Sequence, residues 1–332
     1  MKLGSFRTHS GNIRTGVNID GQLVDLTAAF EKYLFEDCGV GRQFASEASY
    51  KRIPPSMLDL IRREEEGMAD LTAVYSYIKN IMEKGSVLFS PSGQKLNYGL
   101  DEIKLLCPIP QVYRIFNIGV NCDAFATMAN VTPPEEGYTC MFKKPTHAII
   151  GPEDKIQYPI TGSDIEAEIE LGVIFGKKGK GISQDKALDY VFGYTVSHDI
   201  VVMDVLSKNN MGPGDMGVPA SYYITLSKSP DTFEPIGPFI VTKDEIPDPQ
   251  NVDMELRVNG EVKLKGSTRD MRVSVRRLIE FNSADMTFYP GDFLSTGGMG
   301  NKDYSPHTEL KPGDVVEAEI KEIGVLRNYV VS

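Results

Sequence analysis

Four acids at every second position, Asp164, Glu166, Glu168 and Glu170, alternate with the apolar Ile165, Ala167, Ile169 and Leu171 and lead into Val173-Ile174-Phe175. Period two is the side-chain repeat of a β-strand, so one face would be apolar and the other a row of carboxylates. Neighbouring acids on that face would stand about 6.5 to 7 Å apart, and without a positive charge each would raise its neighbour's pKa or weaken the strand. Two answers fit. One is an exposed strand whose solvated carboxylates pair with Lys or Arg across the sheet. The other is a hard divalent cation, because two acids two residues apart can converge on one ion, and all-oxygen sites suit Mg2+, Mn2+ or Ca2+. A third ligand would favour the cation. Tyr190 to Asp199 reads as a second, mostly apolar strand ending in an acid, and a carboxylate at the end of a buried strand needs a partner. Asp199 is the natural third ligand.

The rest of the composition narrows the chemistry. A net charge of −11 without a basic, aromatic-interleaved cluster argues against nucleic acid and against an anionic membrane surface. The four cysteines form no CxxC pair and the four histidines no HExxH spacing, so a zinc or redox centre has no sequence support. The opening MKLGSFRTHSGNIRTG lacks an apolar signal core and no stretch is long enough to span a bilayer, which predicts a cytoplasmic protein.

The elements that must position these acids follow from pattern. Lys2 to Phe6, Arg14 to Ile19 and Gln22 to Leu26 read as strands, the last two joined by an Asp20-Gly21 turn. Thr27 is placed to cap a helix through Tyr33. Helical spacing resumes after Ser56 and again through Leu71, Val74, Tyr75, Ile78 and Met82, with Glu64-Glu65-Glu66 as a solvated face. Leu100 to Leu106 is strand-like, and Cys107-Pro108-Ile109-Pro110 breaks the pattern. Residues 1–108 therefore read as a small α+β domain and 109–332 as a larger, mostly β domain. Its strands are Arg114 to Val120, Met141 to Lys144, Ile165 to Phe175, Val191 to Asp199, Ile236 to Val241, Asp253 to Val258, Glu261 to Lys265, Asp292 to Thr296 and Val315 to Ile320. Gln184 to Tyr190 and Ser274 to Asn282 are its best helices. Many strands and few helices predict an α+β, mostly β fold with a mixed β-roll or β-sandwich.

The run Glu168-Ile169-Glu170-Leu171-Gly172-Val173-Ile174-Phe175-Gly176-Lys177, followed by Gly193-Tyr194-Thr195-Val196 and Asp199, resembles the fumarylacetoacetate hydrolase family. Phe142-Lys143-Lys144-Pro145, Lys228-Ser229-Pro230-Asp231-Thr232-Phe233, Pro290-Gly291-Asp292 with Ser295-Thr296-Gly297, and Lys311-Pro312-Gly313-Asp314 agree with it, in order, over nearly the whole chain. The resemblance implies a mixed β-roll catalytic domain, usually dimeric, acting on 2-oxo acids or β-dicarbonyl carboxylates. It implies Glu168, Glu170 and Asp199 as ligands of Mg2+ or Mn2+, and leaves Glu166 and Asp164 outside the ligand set as solvated or supporting groups. Lys228 would lie by metal and substrate with Thr232 in the same loop, Thr296 and Gly297 would receive a substrate carboxylate, and Lys144 would be structural or substrate-binding.

The sequence departs from that family at two places, the stretch after the metal aspartate, where Met203-Asp204 lacks the family's arginine, and a catalytic pair. Many members carry a His-Glu dyad that activates water for carbon–carbon cleavage, and here Phe125 and Met128 occupy the two positions. Neither side chain can take a proton. Asp123 is the nearest replacement base, His147 a weaker one, and His198 is turned by strand alternation away from the face of Asp199. Asn209 to Asp215, between Met203-Asp204 and Lys228, reads as a loop that reshapes the pocket. Carbon–carbon hydrolysis through an enolate, and a lyase or isomerase reaction such as decarboxylation, dehydration or tautomerisation, both remain open.

Overall fold

The computed structural model describes residues 1–82, 88–128, 132, 138–206, 220–300 and 308–332, and within these not the side chains of Phe125, Met128, Ala220 and Ser221. The loop expected at Asn209 to Asp215 and the two dyad positions' side chains thus lie outside the described residues. Strands β1 (Lys2–Arg7), β2 (Ile13–Ile19) and β3 (Gln22–Asp25) form an antiparallel meander. Asp20 and Gly21 turn it with φ of 50° and 82°, the pair of positive angles a two-residue hairpin of this twist requires. Helices α1 (Leu26–Glu36), α2 (Arg42–Arg52), α3 (Met57–Ile61) and α4 (Glu64–Met82) follow. Asp25, not Thr27, caps α1 by accepting from the Ala28 N–H at 3.0 Å, while Thr27 donates to the Ile53 carbonyl. Ser56 caps α3 as its sequence suggests. Leu100 to Leu106 is not one strand: after β4 (Asn97–Gly99) it makes a short 3-10 turn and the two-residue β5 (Lys104–Leu105).

Beyond the proline link come β6 (Ile115–Gly119), α5 (Asp123–Met128), β7 (Cys140–Lys144), β8 (Ile149–Ile150), β9 (Lys155–Gln157), β10 (Ile165–Ala167) and β11 (Ile169–Phe175). They are followed by β12 (Val191–His198), β13 (Val201–Val202), α6 (Met203–Leu206), α7 (Ala220–Lys228), β14 (Glu234–Thr242), β15 (Asp253–Val258) and β16 (Glu261–Ser267). The chain ends with α8 (Val275–Ser283), β17 (Phe293–Ser295), β18 (Thr308–Leu310), β19 (Val315–Ile320) and β20 (Gly324–Val331). The largest sheet runs β4-β3-β2-β1-β14-β12-β11-β17-β6-β7, with β5 also on β1 and β8 on β14. β8 follows β7 after one short turn yet pairs with β14, at the other end of the run β14 to β7, so this part of the sheet curls into a roll. A five-stranded sheet, β16-β15-β19-β20-β9, packs on it through β19 and β20 against β12 and β14. The fold is mostly β. Among the described residues no helix is long and apolar enough to cross a membrane.

Alternation along β11 sorts its side chains into two cores. Leu171, Val173 and Phe175 pack with Leu256, Val316 and Leu326 of the five-stranded sheet. Ile174 turns the other way and, with Phe192, Ile236 and Phe293, packs with Leu26, Phe30 and Val74 of the N-terminal segment. Cover on both faces explains why Val173-Ile174-Phe175 is apolar without interruption. The expected boundary at residue 108 falls between β5 and β6, and the sheet is continuous across it, because β1 pairs with β14.

The acidic stretch is not the single strand its alternation suggests. β10 ends at Ala167 and lies between β13 and β18, β11 starts at Ile169 in the large sheet, and Glu168 sits at the break. The four acids therefore do not form one row. Glu166 is also not a solvated residue, since only 8% of it is exposed.

Candidate metal centre

Strand register explains the meeting of the three acids. Ile169 faces His198 and Glu170 faces Ser197 across β11 and β12, and one more step of the same register sets Glu168 opposite Asp199. Directly opposite residues share a face, so Glu168, Glu170 and Asp199 point to one side and His198 to the other. One carboxylate oxygen from each of the three lies within 4.8 Å of the others. Glu170 and Asp199 are buried and Glu168 is partly exposed.

Two lysines answer this charge. Lys228, at the end of α7, places Nζ 2.8 Å from Asp199 Oδ2 and 3.0 Å from Glu168 Oε1. Lys144, at the end of β7, places Nζ 2.8 Å from Asp199 Oδ1 and 3.0 Å from Glu234 Oε2. Burial opposes ionisation of Asp199, but the two ammoniums outweigh it and hold its pKa below the usual carboxylate value. Burial likewise opposes the charge on Lys228, and Asp199 and Glu168 reverse that and raise its pKa. Glu170 is pushed well above its ordinary value by burial and then by the charges of Asp199 and Glu168, against hydrogen bonds from Ser295 and Gly297.

The residues fit a hard cation. Glu170 Oε2 accepts from Ser295 Oγ at 2.5 Å and the Gly297 N–H at 2.7 Å, while Oε1 is buried without a hydrogen-bond partner. An orphaned, fully buried carboxylate oxygen facing two further carboxylates is what a bound divalent ion would satisfy. Gly298 lets the backbone pass close to the cluster, since a Cβ there would collide with Glu168 Oε2.

The other sequence candidates fall into two groups. Thr296 and Gly297 border the cluster but face inward, the Thr296 hydroxyl donating to the Leu171 carbonyl at 2.9 Å and the Gly297 N–H to Glu170. Thr232 and Asp123 are engaged elsewhere: the Thr232 hydroxyl accepts from the Gln157 N–H, and the exposed Asp123 pairs with Arg272. His198 is buried, its Nδ1 is 3.3 Å from the Glu168 carbonyl, and burial pushes its pKa down to about 4. His147 is exposed and pairs with Asp231. Glu234, Ser197 and Asn117 escaped sequence reasoning, and Ser295 figured there only as part of a motif, without a role. The one available signal was an acid alone among Phe233, Pro235 and Ile236.

Residues 114–331 match the family model for the fumarylacetoacetate hydrolase C-terminal domain. An uncharacterised protein of Methanocaldococcus jannaschii is 44% identical over 65% of this chain and 82% of its own. A human mitochondrial oxaloacetate tautomerase is 37% identical over 69% of this chain and 70% of its own. Among solved structures, maleylpyruvate hydrolase from Sphingobium, in complex with manganese(II) and pyruvate, superposes with a TM-score of 0.69 at 27% identity, covering 100% of this chain and 99% of that one. A family model that spans most of the chain, with these relatives beside it, shows that the protein belongs to the fumarylacetoacetate hydrolase family.

Proposed function

We propose that the protein is a divalent-metal-dependent enzyme that acts on a 2-oxo acid or β-dicarbonyl carboxylate through its enolate, and that its reaction is keto–enol isomerisation. The observation behind this reading is a carboxylate cluster backed by two buried ammoniums, with no imidazole among the described residues directed at it. Mg2+ or Mn2+ held by Glu168, Glu170 and Asp199 would act as a Lewis acid toward the 2-oxo group. Lys228 is kept charged by Asp199 and Glu168, so it serves as positive charge beside an enolate oxygen, and not as a base. Isomerisation passes one proton from carbon to solvent, which meets the centre at the partly exposed Glu168, takes one back from solvent at oxygen, and consumes no water. Hydrolysis must deprotonate a water, and Phe125 and Met128 offer no group to do so. The tautomerase activity named for the human relative supports the same choice.

Carbon–carbon hydrolysis is the second reading, favoured by the hydrolase activity named for the Sphingobium structure. Purified protein with Mn2+, given acylpyruvates and oxaloacetate in heavy-oxygen water, separates the two. Isomerisation predicts faster enol–ketone interconversion with no labelled carboxylate. Labelled cleavage products would replace that reading with hydrolysis.

A further inference from the structure

Behind the ligand oxygens the roll holds a buried polar ring. Ser295 Oγ donates to Glu170 and lies 2.8 Å from Ser197 Oγ, Ser197 Oγ is 3.3 Å from Glu234 Oε1, and Glu234 Oε2 meets Lys144, which returns to Asp199. Asn117 Nδ2 adds a contact to Glu234 Oε2 at 3.2 Å. Glu234 reaches this place by register. Ser197 faces Ile236 and the Ile200 N–H bonds the Phe233 carbonyl, which sets Glu234 opposite Asp199 on the flank away from Glu168. Glu234 is fully buried between apolar neighbours in sequence, and a carboxylate there costs desolvation that a well-packed neutral side chain would avoid. Lys144 Nζ donates to Asp199 Oδ1, to the Phe233 carbonyl at 2.5 Å and to the Ile200 carbonyl at 3.4 Å, and forms an ion pair with Glu234 Oε2.

We propose that Glu234 is a positioning residue for the metal centre: by sharing Lys144 it leaves Asp199 under-neutralised and available to a divalent cation. Without a negative group at 234, both oxygens of Asp199 would face ammoniums whose charge no further carboxylate divides on the Lys144 side, and a cation would compete with a satisfied ion pair. The formal charges agree. With a cation bound and all four acids ionised, Glu168, Glu170, Asp199 and Glu234 against Lys144 and Lys228 would leave two negative charges in excess, the charge of one divalent ion. Groups behind metal ligands commonly change affinity by about 10- to 100-fold.

The inference rests on the metal centre proposed above, and its test separates the two. Mn2+ binding is measured by titration calorimetry on the wild type and on Glu234→Gln, and the metal-free melting temperature of each is recorded. The proposal predicts Mn2+ bound about tenfold or more weaker in the variant, with a fall in metal-free melting temperature too small to account for it, because Lys144 keeps Asp199 as a partner. Wild-type binding with equal affinity in the variant overturns the proposal alone, as does weaker binding that tracks an equal loss of metal-free stability. No binding to wild type overturns the centre and the proposal with it. Should Glu234→Gln not fold, Asn117→Ser keeps the charge but loosens its carboxylate. A two- to threefold weaker Mn2+ affinity then supports the role, and no change overturns it.

Discussion

Lys228 Nζ lies 2.8 Å from Asp199 Oδ2 where neither side chain meets much water, 8% of one and 2% of the other being exposed. Removing one partner of a buried pair costs roughly 3–5 kcal/mol, because the other charge stays behind unanswered. Lys228→Met should therefore lower the metal-free melting temperature, and Mn2+ should recover most of the loss by supplying the missing positive charge. Thermal denaturation with and without Mn2+ checks this. A variant that melts like wild type without metal would show that Lys228 does not compensate the carboxylates.

Glu170 predicts the opposite sign. Its carboxylate is fully buried, crowded by Asp199 and Glu168, and left with one oxygen unpartnered. Glu170→Gln keeps the shape and removes the repulsion, so metal-free stability should hold or rise while Mn2+ affinity falls by more than the roughly 10- to 100-fold typical of groups behind the ligands, since a charged ligand oxygen becomes a neutral amide. Calorimetry and thermal melts read both. Retained Mn2+ affinity would place the ion elsewhere.

Much of this centre is legible in the amino-acid sequence. The i, i+2 acids and the strand-terminal Asp199 are local patterns, and antiparallel register brings them together with little further information. Lys144 and Lys228 come from distant elements and are reached only through family resemblance. Glu234, Ser197 and Ser295 are not legible, because their meeting depends on pairings between strands far apart in sequence, β12 with β14 and β11 with β17. The strand over Gly324–Val331 escapes for a different reason. Asn328 interrupts its buried positions Leu326 and Val330, and it is buried because its amide donates to the Gly151 and Asp154 carbonyls.

Asp25, far from the centre, predicts a pH dependence of stability. Burial pushes its carboxyl from 3.8 up to about 6, against hydrogen bonds from Ala28 and Gln94 and the charge of Arg14. A raised carboxyl pKa means that the folded state holds the proton more tightly than the unfolded one. The stabilisation is therefore complete below the unfolded value near 3.8 and lost as pH rises through about 6. The change is roughly 3 kcal/mol. Urea unfolding across this window should show the wild type losing stability relative to Asp25→Asn as pH rises. An unchanged difference between the two proteins would assign the dependence to other groups.

Phe125→His combined with Met128→Glu restores a water-activating pair at the positions where the sequence lacks one. Cleavage of acylpyruvates should rise from background in the double variant, read by product release under saturating Mn2+. No rise at all would mean that the missing dyad is not what separates this chain from its hydrolytic relatives.

The most direct measurement is the exchange of the C3 protons of oxaloacetate with deuterated solvent, followed by NMR with wild type and Glu170→Gln, each with Mn2+ and with a chelator. Wild type should exchange them well above the Mn2+-only control, the chelator should abolish that exchange, and the variant should lack it. Exchange that survives chelation, or that the variant retains in full, would contradict enolate formation at the Glu168, Glu170 and Asp199 cluster.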